Sequence, residues 1–161
     1  MGLREEFVKN VQSEVKNNSI YVWGGQGEKT ESLSIKTLEI MEGNNHANVK
    51  RILKHIAEIY PDTNNSRSFD CSGLVTFHLM KLGVIKSDMT ANGLYKLCNP
   101  VNKKDLQSGD LVFKVTEGKA VHVAVYVGDK TLVESVGRDE GVKNTELSSK
   151  FNKYGRIPQF V

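Results

Sequence analysis

Helical periodicity as far as Leu97, followed by strand-like alternation from Asp110 onward, predicts an α+β fold with N-terminal helices packed on a central antiparallel β-sheet. At 161 residues the chain has room for one core and reads as a single domain, 1–161. No internal repeat, low-complexity tract or interdomain linker interrupts it.

Leu3, Phe7, Val11 and Val15 recur every four residues, the stripe of an amphipathic helix that ends at Asn17-Asn18. Ile20-Tyr21-Val22-Trp23 is a short β-prone piece running into Gly24-Gly25-Gln26-Gly27. Residues 29–44 are polar with a weak helical pattern (Leu33, Thr37, Leu38, Met41). A stronger stripe follows, Val49, Ile52, Leu53, Ile56 and Ile59, which Pro61 stops. Asp62 to Ser68 is a polar loop. From Asp70, one helical face carries Leu74, Val75, His78, Leu79 and Leu82, with Gly83 as its natural C′ residue. Thr90 caps a short helix from Ala91 to Leu97, which Asn99-Pro100 ends. Strands are expected at Asp110 to Val115, Ala120 to Val127, Thr131 to Val136 and near Arg156-Ile157. Glu117-Gly118, Gly128-Asp129 and Glu140-Gly141 supply the turns.

Several function classes fall away on composition. Apolar residues are 39% and charged residues 25%, ordinary globular usage, which excludes a disordered tail or a fibre. A net charge of +3 is too small to argue for nucleic acid, and Lys50, Arg51 and Lys54 read as a solvated helix face. No apolar run approaches the ~18–20 residues that span a membrane. Met1 to Ile20 is charged throughout with no apolar segment, and Glu6 stands where a myristoylation signal wants Ser or Thr. The chain is therefore expected to be soluble, without an export signal of its own. Gly24-Gly25-Gln26-Gly27-Glu28-Lys29-Thr30 misses a phosphate loop, because Glu28 replaces the glycine before Lys-Thr. Its glycines are read as allowing close backbone approach beside Tyr21 and Cys71. No zinc spacing is present, so no metal or cofactor is expected.

Two cysteines, Cys71 and Cys98, do not make a disulfide framework, and both are expected free. Cys71, in Phe69-Asp70-Cys71-Ser72-Gly73-Leu74-Val75, falls in the first turn of a helix, where the macrodipole favours a thiolate. That dipole supplies at most ~2 kcal/mol, about 1.5 pKa units. From a free value of about 8.5, a paired imidazolium is still needed. Four histidines are available. His46 and His55 read as surface residues and His78 as a hydrogen-bonded core residue. His122 lies on the strand face of Ala120, Ala124 and Tyr126, opposite the valines, with small neighbours that leave an open floor beside its ring. Glu134 follows twelve residues later. If residues 128–130 form a three-residue loop, Ala124 faces Glu134, which becomes a diagonal neighbour able to orient the imidazole. A two-residue loop would present Ser135 instead. Trp23, the only tryptophan, either packs in the core or walls a groove. Cys98 reads as a small buried apolar residue.

Asp70-Cys71-Ser72-Gly73-Leu74-Val75, Ser108-Gly109-Asp110-Leu111-Val112-Phe113 and His122-Val123-Ala124-Val125-Tyr126-Val127-Gly128 resemble, in that order, the motifs of the NlpC family of cell-wall cysteine peptidases. Tyr21-Val22-Trp23-Gly24-Gly25 is similar to that family's upstream motif, and the resemblance runs from Tyr21 to about Pro158. It implies a papain-like fold and hydrolysis of peptidoglycan stem peptides, often at the bond between D-glutamate and the following diamino acid. It makes Cys71 the nucleophile and His122 the general base. By the resemblance alone, Tyr21 lines the site near the thiol, and Asp70 and Ser72 help hold the amino end of the stem peptide. Trp23, as a groove wall, would face the glycopeptide.

Two features depart from the family pattern. Its third catalytic position is commonly His, and here it is Glu134; a carboxylate can also orient an imidazole. The connection from 26 to 69 is long and is read as a helical insertion, a wall or lid beside the groove, as in phage- or mobile-element-borne lysins. The expected chemistry is acyl transfer, with the Cys71 backbone N–H as oxyanion donor. The alternatives are a peptidoglycan-binding module of the same fold, or an amidase or transferase using the same dyad. Action at the bacterial cell wall would require release by a holin, a phage particle, a secretion apparatus or a further N-terminal segment. Oligomeric state is left open.

Overall fold

A computed structural model describes residues 1–160. Among the described residues five α-helices form: α1 (Leu3–Lys16), α2 (Ile35–Met41), α3 (His46–Ile59), α4 (Cys71–Lys81) and α5 (Ala91–Leu97). The strands are β1 (Gln26–Lys29), β2 (Arg67–Phe69), β3 (Asn99–Pro100), β4 (Leu111–Thr116), β5 (Lys119–Gly128), β6 (Thr131–Gly137), β7 (Gly141–Glu146) and β8 (Lys153–Arg156). The last six make one antiparallel sheet in the order β3-β8-β4-β5-β6-β7. Among the described residues no helix is long and apolar enough to cross a membrane.

Helix starts follow the capping chemistry of the sequence. The side chains of Ser34, Asn45, Asp70 and Thr90 each accept from a backbone N–H three residues on, satisfying a donor that the helix itself leaves free. Gly83, at φ 73°, closes α4 in the left-handed conformation that a glycine adopts without a Cβ clash.

Helix α4 is buried nearly all round, through Gly73, Leu74, Val75, Thr76, His78 and Leu79. It lies between α1 and the sheet face of Leu111, Phe113, Val123, Val125 and Val133. The opposite sheet face, Val112, Ala124 and Leu132, is covered by Phe151 from the β7–β8 connection. A third cluster joins Ile20 and Val22 to Leu38 of α2 and to Val49 and Ile52 of α3. Asp110, fully buried, receives both Nε and Nη2 of Arg156 at 2.8 Å, which ties β8 to the start of β4.

The structure departs from the sequence reading at several points. Leu3 heads the expected stripe of α1 but is exposed, and Glu14 is buried instead. Ile20-Tyr21-Val22-Trp23 forms no strand, only a single bridge from Ile20 to Ser68. The 26–69 segment is not purely helical, since β1 and β2 pair as an antiparallel ribbon around α2 and α3. Strand β7 was not foreseen: its Lys143-Asn144-Thr145 centre carries no apolar alternation.

Register around the candidate site depends on two bulges. The β5–β6 turn has two residues, Asp129 and Lys130, both with positive φ (50° and 58°), the primed geometry that suits strand twist. Gly128 therefore pairs with Thr131, a register that would bring Ser135 beside His122's face. A bulge between Tyr126 and Gly128 restores Val125 opposite Val133, and Glu134 recovers the position expected from a three-residue loop. A second bulge, in β5 opposite Lys114/Val115, turns Ala120 away from His122 and onto the α4 side, leaving Val121 exposed.

Candidate active site

Glycines bring the upstream motif against the start of α4. A Cβ on Gly73 would lie 1.9 Å from the Gly25 carbonyl oxygen, and one on Gly25 would lie 2.8 Å from the Phe69 nitrogen. Only glycine fits at either place. The Gly24 N–H donates to Asp70 Oδ2 at 3.1 Å and the Asp70 N–H to the Gly25 carbonyl at 3.1 Å, while Asp70 Oδ1 accepts from Gly73 N–H at 2.7 Å. One carboxylate thus joins both motifs and fixes Cys71 in the first turn of α4. Burial raises the Asp70 pKa, against the hydrogen bonds from Gly73 and Gly24 that lower it. Ser135 Oγ donates to the Phe69 carbonyl at 2.7 Å and so anchors β6 to the same junction.

His122 Nε2 and Glu134 Oε1 are 2.8 Å apart, and Glu134 is 2% exposed. Cys71, in the first turn of α4, is the other group that acts on this ring. Burial opposes charge on His122, but the hydrogen bonds and negative charges of Cys71 and Glu134 outweigh it and raise its pKa to about 9. Burial would raise Glu134 as well; the bonds from His122 and Thr145 and the charge of Lys150 bring it below the usual carboxylate range. Thr145 Oγ1 donates to Glu134 Oε2, and Lys150 Nζ reaches Oε1 at 3.5 Å. The expected open floor beside His122 is absent. The ring lies 5.8 Å from Phe151, which occupies the space that Ala124 leaves.

Tyr21 borders the thiol. Its pKa rises to about 12, first through burial and then through the negative charge of Cys71, with Arg138 working in the opposite direction. Ser72 Oγ donates to Asp70 Oδ1 at 3.4 Å, a long bond. Trp23 is 60% exposed, which removes the core-packing option and leaves it at the surface beside Tyr21. Cys98 is buried and free, its thiol pushed up to about 12 by burial. His78 is in the core as expected, 2.7 Å from Glu14 Oε2. His55, expected at the surface, is buried, because Gly141 at the start of β7 packs against its ring.

Sequence reasoning missed Thr145, Lys150, Arg138 and Glu42. Glu42, at the end of α2, accepts from Trp23 N–H at 2.8 Å and from Arg138 Nε and Nη2 at 3.0 and 2.7 Å. The Arg138 guanidinium lies 5.1 Å from the centre of the Tyr21 ring. Lone polar residues at a helix end, in a turn or on a polar strand carry no periodic signal, and none in the sequence would have found these.

A thiol at a helix N-terminus, with an imidazole on an antiparallel sheet paired to a buried carboxylate, fits the papain-like class. The family model described as NlpC/P60 matches residues 18–157, and the chain belongs to the NlpC/P60 family. The murein DD-endopeptidase MepH of Escherichia coli is 39% identical over 87 residues, 52% of this chain and 32% of its own length. The bifunctional muramidase/DL-endopeptidase CwlT of Bacillus subtilis is 34% identical over 119 residues, 68% of this chain and 35% of its own. The chain thus spans about a third of these relatives. Among solved structures, RipD of Mycobacterium tuberculosis, described as a non-catalytic domain adapted to peptidoglycan binding, superposes with a TM-score of 0.65 at 19% identity, covering 98% of both chains.

Proposed function

We propose that this chain is a peptidoglycan hydrolase, a cysteine endopeptidase that cleaves stem peptides at the bond between D-glutamate and the following diamino acid. The observation that carries the reading is the His122–Glu134 pair at 2.8 Å together with a cysteine, Cys71, at a helix N-terminus; the raised pKa of His122, in which Cys71 takes part, supports it. The endopeptidase names of the relatives support the substrate class.

In the mechanism, the Cys71 thiolate attacks the scissile carbonyl carbon and forms a tetrahedral intermediate whose oxyanion faces the Cys71 backbone N–H. The C–N bond breaks as His122 gives its proton to the leaving amine, which leaves a thioester on Cys71. Water then attacks the thioester, His122 accepts its proton, and the acid product departs as the thiolate reforms. Glu134 keeps the ring oriented and stabilises the imidazolium. Asp70 and Ser72 hold the amino end of the acyl portion, and Trp23 walls the groove at the bacterial cell wall.

The likeness to RipD favours one second reading, a wall-binding module. A mass-spectrometric digest of purified peptidoglycan, comparing the protein with Cys71→Ala, separates the two. Stem-peptide fragments from the parent alone, with a loss of about 10³-fold or more in the variant, support hydrolysis and identify the bond. Co-sedimentation of both proteins with the wall, and release by neither under reducing conditions, supports binding only.

A further inference from the structure

The segment 26–69 does more than flank the groove, because both of its helices grip the β6–β7 turn. Glu42 of α2, its side chain 1% exposed, binds Arg138 Nε and Nη2 through Oε1. Arg51 of α3 meets Asp139 of the same turn through two bonds of 2.9 Å. Val142 N–H, just beyond the turn, donates to the Ser19 carbonyl at 2.9 Å. A turn that would otherwise move freely is held from three sides, with Arg138 above the Tyr21 ring.

The guanidinium is only partly used. A planar fork offers five N–H donors, and Glu42 takes the edge formed by Nε and Nη2. Among the described residues Nη1 has no hydrogen-bond partner, and the side chain is 19% exposed. The Glu42 charge is meanwhile shared with Trp23 N–H and with Asn48 Nδ2 at 3.3 Å. Arg138 therefore presents a pre-oriented cationic edge at the border of Tyr21, a ring that also feels the charges of Cys71 and Asp70.

We propose that Arg138 is a specificity-determining residue that binds a free carboxylate on the acyl portion of the substrate, with Glu42 as the positioning residue behind it. The inference rests on the stem-peptide reading above. In a peptide extended through the γ-carboxyl of D-glutamate, the α-carboxylate remains free, three carbons from the scissile carbonyl on the acyl side. An anion held by the acyl portion is the group that a cationic edge beside Tyr21 can recognise. When this group is amidated, the charge-assisted bond is lost and the donors of Arg138 face a neutral amide.

The test uses two synthetic peptides, L-alanyl-γ-D-glutamyl-diamino acid with the glutamyl α-carboxyl free or as the carboxamide, assayed against the parent, Arg138→Met and Glu42→Gln. The parent is expected to prefer the free acid by ~10-fold or more in kcat/KM, mainly through KM. Arg138→Met is expected to collapse that ratio towards one, and Glu42→Gln to reduce it. Equal loss on both peptides in Arg138→Met would assign the arginine to holding Tyr21 alone and overturn the proposal. So would a parent that does not discriminate, a result that needs no variant to fold. If the parent cleaves neither peptide and releases no stem-peptide fragments from whole peptidoglycan, the hydrolase reading itself has failed.

Discussion

The molecule contains two carboxylate–imidazole pairs with almost the same geometry, His122–Glu134 at 2.8 Å and His78–Glu14 at 2.7 Å. In both, a glutamate oxygen meets Nε2. They differ in what else acts on the ring. His122 is 20% exposed and a thiol, Cys71, acts on its ring. His78 is 5% exposed, sits edge-on to Phe77, and its Nδ1 is buried with no hydrogen-bond partner among the described residues. The pairing alone therefore confers no chemistry. A neighbouring thiol and partial exposure set the first pair apart, while the second is a buried brace between α1 and α4.

The sharpest way to break this comparison is to remove each carboxylate in turn. Glu134→Gln is expected to lower kcat/KM by about 10² to 10⁴-fold, the range of general acid–base assistance, while the thermal midpoint moves little. Glu14→Ala removes one partner of a buried pair and the acceptor of Ser19 Oγ, which should cost about 3–5 kcal/mol of stability with activity per folded molecule retained. Urea unfolding together with stem-peptide turnover reads both effects. Matching losses in the two variants would mean that the pairs are not functionally distinct.

The pH profile sharpens the same contrast. In the proposed mechanism His122 must carry a proton for the leaving amine, and its pKa is raised to about 9, so activity should hold through neutral pH and fall as pH rises past about 9. Glu134→Gln removes a bond and a negative charge that favour the imidazolium, so the alkaline limb should move to lower pH. A kcat/KM profile that is unchanged in the variant would detach Glu134 from His122.

How far the site was legible follows from the same residues. Cys71 and His122 could be read from a helix start and a strand face, both local patterns. Glu134 was reached through a loop length that the structure does not have; the two-residue turn and the bulge at Val127 together leave the register where a three-residue loop would have left it. Ala120 was misplaced for the opposite reason, because one bulge in β5 has nothing to compensate it. Arg138 and Glu42 are 96 residues apart in sequence and meet only because the helices of the 26–69 segment fold over the β6–β7 turn. Periodicity encodes which face is buried, not which polar side chains from distant loops will meet.

His55 tests the same limit through stability. Burial lowers its pKa, and the charge of Lys143 adds to the effect, so the folded state favours the neutral ring. A histidine with a depressed folded pKa contributes stability that is present above its unfolded value of about 6.5 and is lost as pH falls. The unfolding midpoint should decline between pH 7 and 5, more steeply in the parent than in His55→Gln. A surface histidine, as the sequence suggested, would give equal slopes.

The smallest effect is expected at Lys150. Its amine reaches Glu134 Oε1 at 3.5 Å, but the side chain is 48% exposed, so solvent screens the pair and its contribution to stability is within about 1 kcal/mol. It nevertheless acts on the one carboxylate that holds His122, and it helps bring Glu134 below the usual carboxylate range. Lys150→Met should therefore leave the fold intact and move the acid limb of kcat/KM upward by a fraction of a pH unit. The same shift should shrink as salt is added to the parent, since an exposed charge is screened over about 10 Å at 0.1 M ionic strength. If the limb moves in the variant but ignores salt in the parent, Lys150 acts by packing against Phe151, 5.0 Å from its amine, and not by its charge on Glu134.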